Sequence, residues 1–300
     1  MRSVRIHEFG NSDKISVEEI ERPKLKTGEV LVKVLAAGVN PIDFKIREGY
    51  IPDKRLPLVM GQDFCGEILE VGKDVKGFEE GDKVFGFAKE GAYAEFTVAS
   101  ACDIARLPVG MDEETAAAIP TAGLTAWQIV VDEAKISENT RVLIHGAAGG
   151  VGSFAVQLCN WKEAYVIANA AKEDEEYLRT LGIDEFIDYH SEKFWEKAED
   201  IDVVIDLVGG QTYQRSFDVV KAGGTVVTTL QEKGGEKEGV KVIRTMMRKN
   251  GKSLEHLADL VERGVINVRV DKTYPLQKAR EAQDQIEFEH KQGKVVLKVA

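Results

Sequence analysis

The stretch "RVLIHGAAGGVGSFAVQL", residues 141–158, joins an apolar run, a glycine-rich turn and a second apolar run. The first run predicts a buried strand, and the second predicts a helix that begins at the glycines. The spacing approaches the dinucleotide-binding pattern G-x-G-x-x-G, with Ala147, Gly149 and Gly152 at the three marked positions. The first glycine is therefore an alanine, and whether this turn holds a nucleotide has to be argued from its surroundings.

Two of the three glycine roles are kept in this turn. Gly149 allows the backbone to approach a pyrophosphate, and Gly152 allows the helix to pack closely on the strand. Ala147 is small and fits if its φ is negative. We expect the pyrophosphate to meet the positive end of the helix and the backbone at Ala148, Gly149, Gly150 and Val151. A turn without any ligand is the alternative, and the strong strand and helix on either side disfavour it.

The rest of the chain predicts two kinds of structure. Strands and amphipathic helices alternate after residue 140, which indicates a parallel sheet covered on both faces. The first third instead has short apolar segments separated by Gly, Pro and Asp, typical of a β-barrel or sandwich. The charged, glycine-containing residues 231–241 predict a surface loop, and Gly264 ends a helix before a final strand, "GKVVLKVA". The fold class is therefore α/β with a second, β-rich domain.

Composition narrows the function. The net charge of −11 disfavours binding to nucleic acid or to an anionic membrane. The spacing of Cys65, Cys102 and Cys159 provides neither a disulfide framework nor a structural zinc site. No apolar run approaches the roughly 20 residues of a membrane helix, and no secretory signal is recognisable. We therefore expect a cytoplasmic location.

The residues that follow the next strand bear on which nucleotide is bound. A dinucleotide fold that takes NAD places Asp or Glu about 20 residues after the glycines, but this chain has Asn169 there. Asn169 would not repel a 2′-phosphate, Lys172 could pair with it, and Tyr189 could flank the adenine or reach the phosphate. Glu173 and Asp174 oppose this interpretation. We predict NADPH rather than NADH.

A polar group also follows a strand in the first domain. In "AAGVNPIDFKIREGY", residues 36–50, a rigid Asn40-Pro41 turn is followed by Asp43 and Tyr50. A plain surface turn is the alternative, which this segment alone would favour.

Taken together, these segments resemble the medium-chain dehydrogenase/reductase superfamily, in particular its zinc-free, zeta-crystallin-like quinone oxidoreductases. The matching pieces, in chain order, include "AAGVNPIDFKIREG", "GQDFCGEILEVGKDVKGFEEGDKVFG", "GLTAWQ", "HGAAGGVGSFAVQL", "VIDLVGG" and "GKVVLKV". In this branch the turn commonly lacks the first glycine, so Ala147 fits it. The resemblance implies a GroES-like catalytic domain over residues 1–118, completed by 265–300, and a Rossmann NADP-binding domain over 119–264.

The resemblance also implies site residues. Asn40 and Asp43 match a segment that lines the nicotinamide side, and Thr125 matches a cofactor contact. Further cofactor contacts are expected at strand ends and near the C-terminus, at Val208, Gly209, Leu230 and Lys294. Zinc-containing relatives have a cysteine near position 40 and G-H-E where this chain has G-Q-D at residues 61–63. No metal is therefore expected, and without a Lewis acid plain alcohol oxidation is disfavoured.

The expected reaction is hydride transfer from NADPH to a quinone or an α,β-unsaturated carbonyl compound. The Asn40 amide or the Tyr50 hydroxyl would stabilise the substrate oxygen, with water or Tyr50 as the proton donor. An enoyl-thioester reductase and a non-catalytic NADPH-binding scaffold or RNA-binding protein are the alternatives. The family also implies a homodimer.

Overall fold

The computed structural model describes residues 1–230, 234–237 and 239–300. The strands are β1 Arg2–Ile6, β2 Ile15–Glu19, β3 Glu29–Val39, β4 Leu58–Val59, β5 Asp63–Val71, β6 Lys83–Ala88, β7 Phe96–Arg106, β8 Arg141–His145, β9 Tyr165–Ala170, β10 Glu185–Asp188, β11 Ile201–Asp206, β12 Val220–Thr228, β13 Gly235–Lys237, β14 Val240–Arg244, β15 Val270–Pro275 and β16 Lys294–Lys298. The α-helices are α1 Pro41–Arg47, α2 Glu113–Ala118, α3 Pro120–Trp127, α4 Gly150–Trp161, α5 Glu175–Thr180, α6 Gly210–Ser216, α7 Gly251–Glu262 and α8 Ala279–Phe288. Short 3-10 turns cover Ser12–Lys14, Lys172–Asp174, Phe194–Glu196 and Leu276–Lys278, and a π-helix covers Gln128–Glu133.

These elements form two compact units that differ from the expected domains in one helix. The first unit contains residues 1–122, 249–263 and 268–300, and the second contains 123–248 and 264–267. Helix α7 was expected in the nucleotide domain but belongs to the first unit. Its first residue, Gly251, lies against β7, where a Cβ would come 2.5 Å from the Ile104 carbonyl oxygen. Sequence patterning finds such a helix but not the sheet on which it packs.

The first unit is built around a closed β-barrel. Its main sheet has the order β15-β16-β3-β5-β6-β7, and β3 also pairs with β7, which closes the ring of β3, β5, β6 and β7. The expectation of a GroES-like barrel completed by the last strand is confirmed, because β16 pairs antiparallel with β3. Apolar side chains fill this unit, among them Val32, Phe64, Ile68, Val84 and Leu297.

The second unit is the predicted parallel sheet. Its order is β10-β9-β8-β11-β12-β14-β13, with the first six strands parallel and β13 antiparallel at the edge. The strand order reverses between β8 and β11, which is where ligands bind in open α/β sheets. Strand β8 buries Val142, Leu143 and Ile144 completely, as expected for a strand covered on both faces.

The segment 231–241 is only partly the surface loop that the sequence predicts. Residues 235–237 form β13, which pairs with β14 in a short edge hairpin. The glycine and charged residues of this segment do not predict a strand. It is extended because it pairs with β14, and not because of its own composition. Residues 231–233 and 238 lie outside the described part of the chain.

The glycine-rich turn after β8 has the expected shape with one change. The left-handed residue is Gly146, with φ of 73°, and not Ala147. Gly152 lies in the first turn of α4 directly against this loop, where a Cβ would come 2.2 Å from the Gly146 carbonyl oxygen. Gly149 is the N-cap of α4, and a Cβ there would meet only the Gly146 oxygen, at 3.5 Å. Gly146 therefore makes the tight turn, Gly152 permits helix packing, and Gly149 leaves open space.

We predict that Gly152→Ala destabilises the protein by about 2 kcal/mol, because the added methyl group forces the backbone of the turn to move. Gly149→Ala is the matched control, and it should cost less than about 1 kcal/mol, the preference for glycine over alanine at an N-cap. Urea unfolding of both variants measures the difference. Equal free energies of unfolding would show that the close contact at Gly152 does not constrain the turn.

Candidate functional site

The carboxyl edge of the parallel sheet carries a row of buried polar side chains. Asn169, His145, Asp206 and Thr228 occupy register-matched positions on the four adjacent strands β9, β8, β11 and β12. Their side chains are at most 6% exposed. Polar groups buried at this depth need hydrogen-bond partners, and those of Asp206 and Thr228 include the loops that follow β11 and β12. The row therefore fixes the shape of the edge at which a nucleotide would bind.

Asp206 holds the loop that follows β11. Its Oδ1 accepts hydrogen bonds from the backbone N–H groups of Val208 at 3.1 Å and Gly209 at 2.9 Å. The Thr228 hydroxyl donates to Asp206 Oδ2 at 3.3 Å and accepts from the Leu230 N–H at 3.2 Å. One buried carboxylate thus orders both loops, and the sequence analysis missed it. An acidic residue that ends an apolar strand just before Gly-Gly is the signal that could have revealed it.

Three of the predicted cofactor contacts come together here. A Cβ on Gly146 would lie 3.3 Å from Val208, and one on Gly209 would lie 2.3 Å from Leu230. Gly209 has φ of 79°, which favours glycine. Val208 is 55% exposed, so an apolar surface borders the glycine-rich turn.

The turn itself fits a pyrophosphate. The N–H groups in the first turn of a helix have no partner within the helix, and at α4 they include those of Gly150 and Val151. Gly149 leaves room beside them, and Ala148 is buried beneath. Thr125 lies in α3 and is 7% exposed. The N–H groups at the start of α4 are therefore without partners inside the helix, and pyrophosphate binding at this turn stays a prediction.

The three residues expected at a 2′-phosphate differ in their exposure and in their partners. Lys172 opens a 3-10 turn after β9 with a 73% exposed side chain, and its ammonium pairs with Glu175, which also pairs with Arg179 at 2.7 Å. Tyr189 follows β10 and is half exposed, and partial burial with the nearby carboxylates of Asp174 and Glu173 raises its pKa. Asn169 lies buried in the row of polar side chains. Lys172 is therefore accessible to a phosphate, which would have to compete with Glu175.

A second polar cluster lies in the first unit, around the start of α1. Asn40 is the N-cap of this helix, and its N–H donates to Asp43 Oδ2 at 2.8 Å in a capping box. The Tyr93 hydroxyl donates to the same oxygen at 2.8 Å. Asp43 and Tyr93 are completely buried. Tyr93 comes from a distant part of the chain, which explains why the sequence did not associate it with Asp43.

The Asn40 side chain is held at both ends. Its Nδ2 donates to Asp63 Oδ2 at 2.8 Å, and its Oδ1 accepts from the Lys294 ammonium, which also donates to the Val39 carbonyl at 3.0 Å. Burial lowers the pKa of Lys294, and the carboxylates of Asp63 and Asp43 oppose that shift. Lys294 was expected near a cofactor, but its ammonium makes its hydrogen bonds inside this cluster.

Asp63 completes the cluster. Its carboxylate accepts from the Thr121 N–H at 2.9 Å and from the Thr121 hydroxyl at 2.5 Å. Burial raises the pKa of Asp63, although Lys294 and these hydrogen bonds oppose the shift. Asp63 belongs to the G-Q-D segment at residues 61–63 but was given no role from the sequence, although a charged residue that opens an apolar strand was visible in "GQDFCG".

Burial also perturbs the Asp43 carboxyl. Burial raises its pKa to about 7, against the opposing hydrogen bonds from Asn40 and Tyr93. Its second oxygen, Oδ1, is buried with no hydrogen-bond partner among the described residues. Tyr50, by contrast, is 64% exposed beyond the end of α1, so the structure does not bring it into this cluster.

The described residues contain no group of three His, Cys, Asp or Glu side chains placed to hold a metal ion. None of the helices in the described part of the chain is both long and apolar enough to cross a bilayer.

Comparison with known proteins agrees with the fold. Residues 26–139 match the alcohol dehydrogenase GroES-like domain, and residues 181–297 match the family described as zinc-binding dehydrogenase. The NADPH-dependent alkenal/one oxidoreductase, chloroplastic, of Arabidopsis thaliana is 33% identical over 97% of this chain and 77% of its own length. The quinone oxidoreductase from Coxiella burnetii superposes with a TM-score of 0.95 at 33% identity, covering 100% of this chain and 99% of that one.

A further solved structure of a similar protein is a complex with a nucleotide. The Escherichia coli quinone oxidoreductase complexed with NADPH superposes with a TM-score of 0.92 at 27% identity and covers 100% of both chains. A GroES-like barrel and a parallel sheet with a glycine-rich turn in one chain define a two-domain, nucleotide-fold oxidoreductase. The chain belongs to the medium-chain dehydrogenase/reductase family.

We predict that Asp43→Asn changes how stability depends on pH. The folded protein holds the Asp43 proton more tightly than the unfolded chain, in which the pKa is near 3.9. The resulting stabilisation is full below about pH 4 and is lost as the pH rises to about 7. Asparagine cannot ionise, so over this window the free energy of unfolding of the wild type should fall relative to Asp43→Asn, by up to about 1.4 kcal/mol per pH unit.

Urea unfolding at a series of pH values measures this difference. Tyr93→Phe is the companion variant, because it removes a hydrogen bond and keeps the ionisable carboxyl, so the pH dependence should persist. Parallel stability curves for the wild type and Asp43→Asn would contradict the raised pKa.

Proposed function

We propose that this protein is a zinc-independent, NADPH-dependent reductase that transfers hydride to quinones or α,β-unsaturated carbonyl compounds. The observation that carries the proposal is the meeting of the glycine-rich turn, Val208, Gly209 and Leu230 at the carboxyl edge, where the strand order reverses. The quinone and alkenal/one activities for which similar proteins are named support the substrate classes.

The residues at this edge fit a dinucleotide. The backbone from Ala148 to Val151 would bind the pyrophosphate, and Val208, Gly209, Leu230 and Thr125 would hold the nicotinamide half. Bound NADPH supplies the hydride, so the protein is left to bind, orient and exclude water. The ordered loops around Asp206 suit this role, because they are fixed by hydrogen bonds before any ligand arrives.

The preference for NADPH over NADH is assigned to Lys172 and Tyr189, with the neutral Asn169 standing where a fold that takes NAD has a carboxylate. Lys172 is exposed and charged, and a 2′-phosphate would offer it more negative charge than the Glu175 carboxylate does. Asn169 is neutral, so it adds no repulsion. Two of the similar proteins support the same preference, because one is named as NADPH-dependent and the other was solved in complex with NADPH.

Zinc independence rests on the chemistry of the side chains. Asn40 and Gln62 offer neither a thiolate nor an imidazole, and the Asn40 amide oxygen already accepts from the Lys294 ammonium. A buried ammonium in the same cluster would repel a dication. Burial also raises the pKa of the Cys65 thiol, which keeps it protonated.

The substrate side of the reaction involves Asn40, Asp43 and Tyr50. An amide nitrogen has two hydrogens, and one of those on Asn40 Nδ2 is used by Asp63, which leaves one to donate to a substrate oxygen. Tyr50 is exposed and available as a second donor. Asn40 is itself only 1% exposed, so contact between its amide and a substrate is part of the proposal, and Asp43, which is completely buried, has the part of holding the Asn40 turn in place.

Location and assembly stay predictions. We propose a cytoplasmic homodimer, although the Arabidopsis relative is named as chloroplastic. Light scattering of the purified protein measures the assembly state.

With NADPH and a panel of quinones and enones, we expect turnover well above background, slower turnover with NADH, and no loss after dialysis against a chelator. A crotonyl thioester in the same panel tests the enoyl-thioester alternative. Oxidation of NADPH at the background rate with every acceptor would favour the non-catalytic scaffold instead.

We predict that Lys172→Gln weakens NADPH binding about tenfold, the worth of one hydrogen bond to a charged group, and changes NADH binding less than about twofold. Lys193→Gln is the matched control, because Lys193 is also exposed and also pairs with a glutamate three residues later in the chain, Glu196, at 2.8 Å. Fluorescence titration gives the dissociation constants. Equal losses for both nucleotides would contradict a contact between Lys172 and the 2′-phosphate.

A further inference from the structure

His145 is a buried histidine that the proposed reaction does not use. It ends β8, immediately before Gly146, and it is completely buried with the Phe194 ring 4.5 Å away between centroids. Burial lowers its pKa to about 3, so the imidazole is neutral at physiological pH. A neutral imidazole has one nitrogen that donates and one that accepts, and its neighbours decide which is which.

The contacts of Ser216 determine which nitrogen of the His145 imidazole carries the hydrogen. Its hydroxyl lies 2.9 Å from the Thr212 carbonyl oxygen and 3.2 Å from His145 Nε2. A carbonyl oxygen only accepts, so the single hydroxyl hydrogen of Ser216 goes to Thr212. The Ser216 oxygen must then accept from His145, which places the imidazole hydrogen on Nε2. His145 Nδ1 is left as an acceptor.

This tautomer sets the orientation of Asn169. Its amide lies 2.8 Å from His145 Nδ1, and only the NH₂ end of an amide donates to an acceptor nitrogen. The amide oxygen Oδ1 is therefore turned away from His145. It is buried, in a side chain 6% exposed, and no donor lies within hydrogen-bond distance of it in the described part of the chain.

A buried acceptor without a protein donor is costly, and it indicates that the donor is a water molecule or a ligand. Asn169 lies at the carboxyl end of β9, where a dinucleotide fold places the adenosine ribose. A ribose hydroxyl donates to a carbonyl oxygen, whereas a phosphate dianion has no hydrogen to donate. The orientation of the amide therefore distinguishes between two parts of the same nucleotide.

We propose that His145 is a positioning residue that turns the Asn169 amide so that its oxygen accepts a hydrogen bond from a ribose hydroxyl of the cofactor. This rests on the proposed function, and in NADPH the adenosine ribose hydroxyl that remains is the 3′ one. Asn169 then binds the sugar and Lys172 binds the 2′-phosphate. Asn169 contributes equally to NADPH and NADH, and discrimination between them is left to Lys172.

The tautomer is tested without any cofactor. Nitrogen-15 NMR of the full chain, with the signal assigned by comparison with His145→Asn, should show Nε2 protonated and Nδ1 unprotonated. Ser216→Ala, which removes the acceptor for Nε2–H, should perturb this signal. A protonated Nδ1 would overturn the proposal, because the amide oxygen of Asn169 would then face the imidazole.

The ribose contact is tested by binding. Asn169→Ala should weaken NADPH and NADH about fivefold each, the worth of one hydrogen bond. An NADPH analogue with hydrogen in place of the adenosine 3′-hydroxyl should bind the wild type about fivefold more weakly than NADPH. The same analogue and NADPH should bind Asn169→Ala equally, since the contact is already absent. Undiminished affinity of Asn169→Ala, or an analogue penalty that persists in it, would overturn the contact.

Two variants of His145 separate positioning from simple packing. His145→Asn keeps an acceptor oxygen near the place of Nδ1, so NADPH affinity should stay near that of the wild type. His145→Leu fills similar space without an acceptor, so binding should weaken by about twofold to fivefold. Equal affinities of the two variants would overturn the positioning role, and the Asn variant with the NMR measurement tests it even if the Leu variant fails to fold.

Failure of the proposed function has a different signature. If the wild type does not bind NADPH in the titration, the reductase proposal and the ribose contact both fall, while the tautomer is still decided by NMR. If the wild type binds NADPH and Asn169→Ala binds it equally well, only the proposed contact between Asn169 and the ribose fails.

Discussion

The approach of helix α4 to the carbonyl oxygen of Gly146 is the contact on which the second unit depends. It requires a residue without a Cβ at position 152, and it sets the helix start directly after the carboxyl end of β8. The N–H groups of the first helical turn and the loop held by Asp206 consequently reach the same edge of the sheet. The geometry expected to bind a nucleotide is thus a result of close backbone packing, with few side chains involved.

The polar cluster of the first unit depends on buried charges that compensate one another. Two carboxylates and an ammonium are buried together, where each would be costly alone. Lys294 compensates Asp63 and Asp43, and the Asn40 amide links the ammonium to one of the carboxylates. Burial raises the pKa of Asp43 to about 7, so its carboxyl holds a proton more readily than an exposed carboxyl does. Its polar contacts fix the turn that begins α1, and so they hold the residues proposed to face a substrate.

The sequence predicted what is local and missed what is joined across long distances. Alternating strands and helices, the glycine-rich turn and the final strand follow from patterns within a few residues, and the structure has all of them. Tyr93 and Thr121 meet Asp43 and Asp63 only through the closed barrel, so no local pattern could pair them. The left-handed residue at Gly146 was visible in the sequence, but the expected spacing drew attention to Ala147. The resemblance to a family supplied Lys294, and the structure then gave its ammonium different partners.

The pairing of β16 with β3 has a consequence for the order in which the chain is made. Residue 294 leaves the ribosome after the whole of residues 123–248, which hold every described strand of the parallel sheet. Until then β3 lacks one of its neighbours, β16, and the carboxylates of Asp43 and Asp63 have no Lys294 ammonium beside them. Domains generally fold as units during synthesis. The nucleotide-fold sheet is therefore in a position to form first, while the barrel that begins earlier in the sequence is completed last.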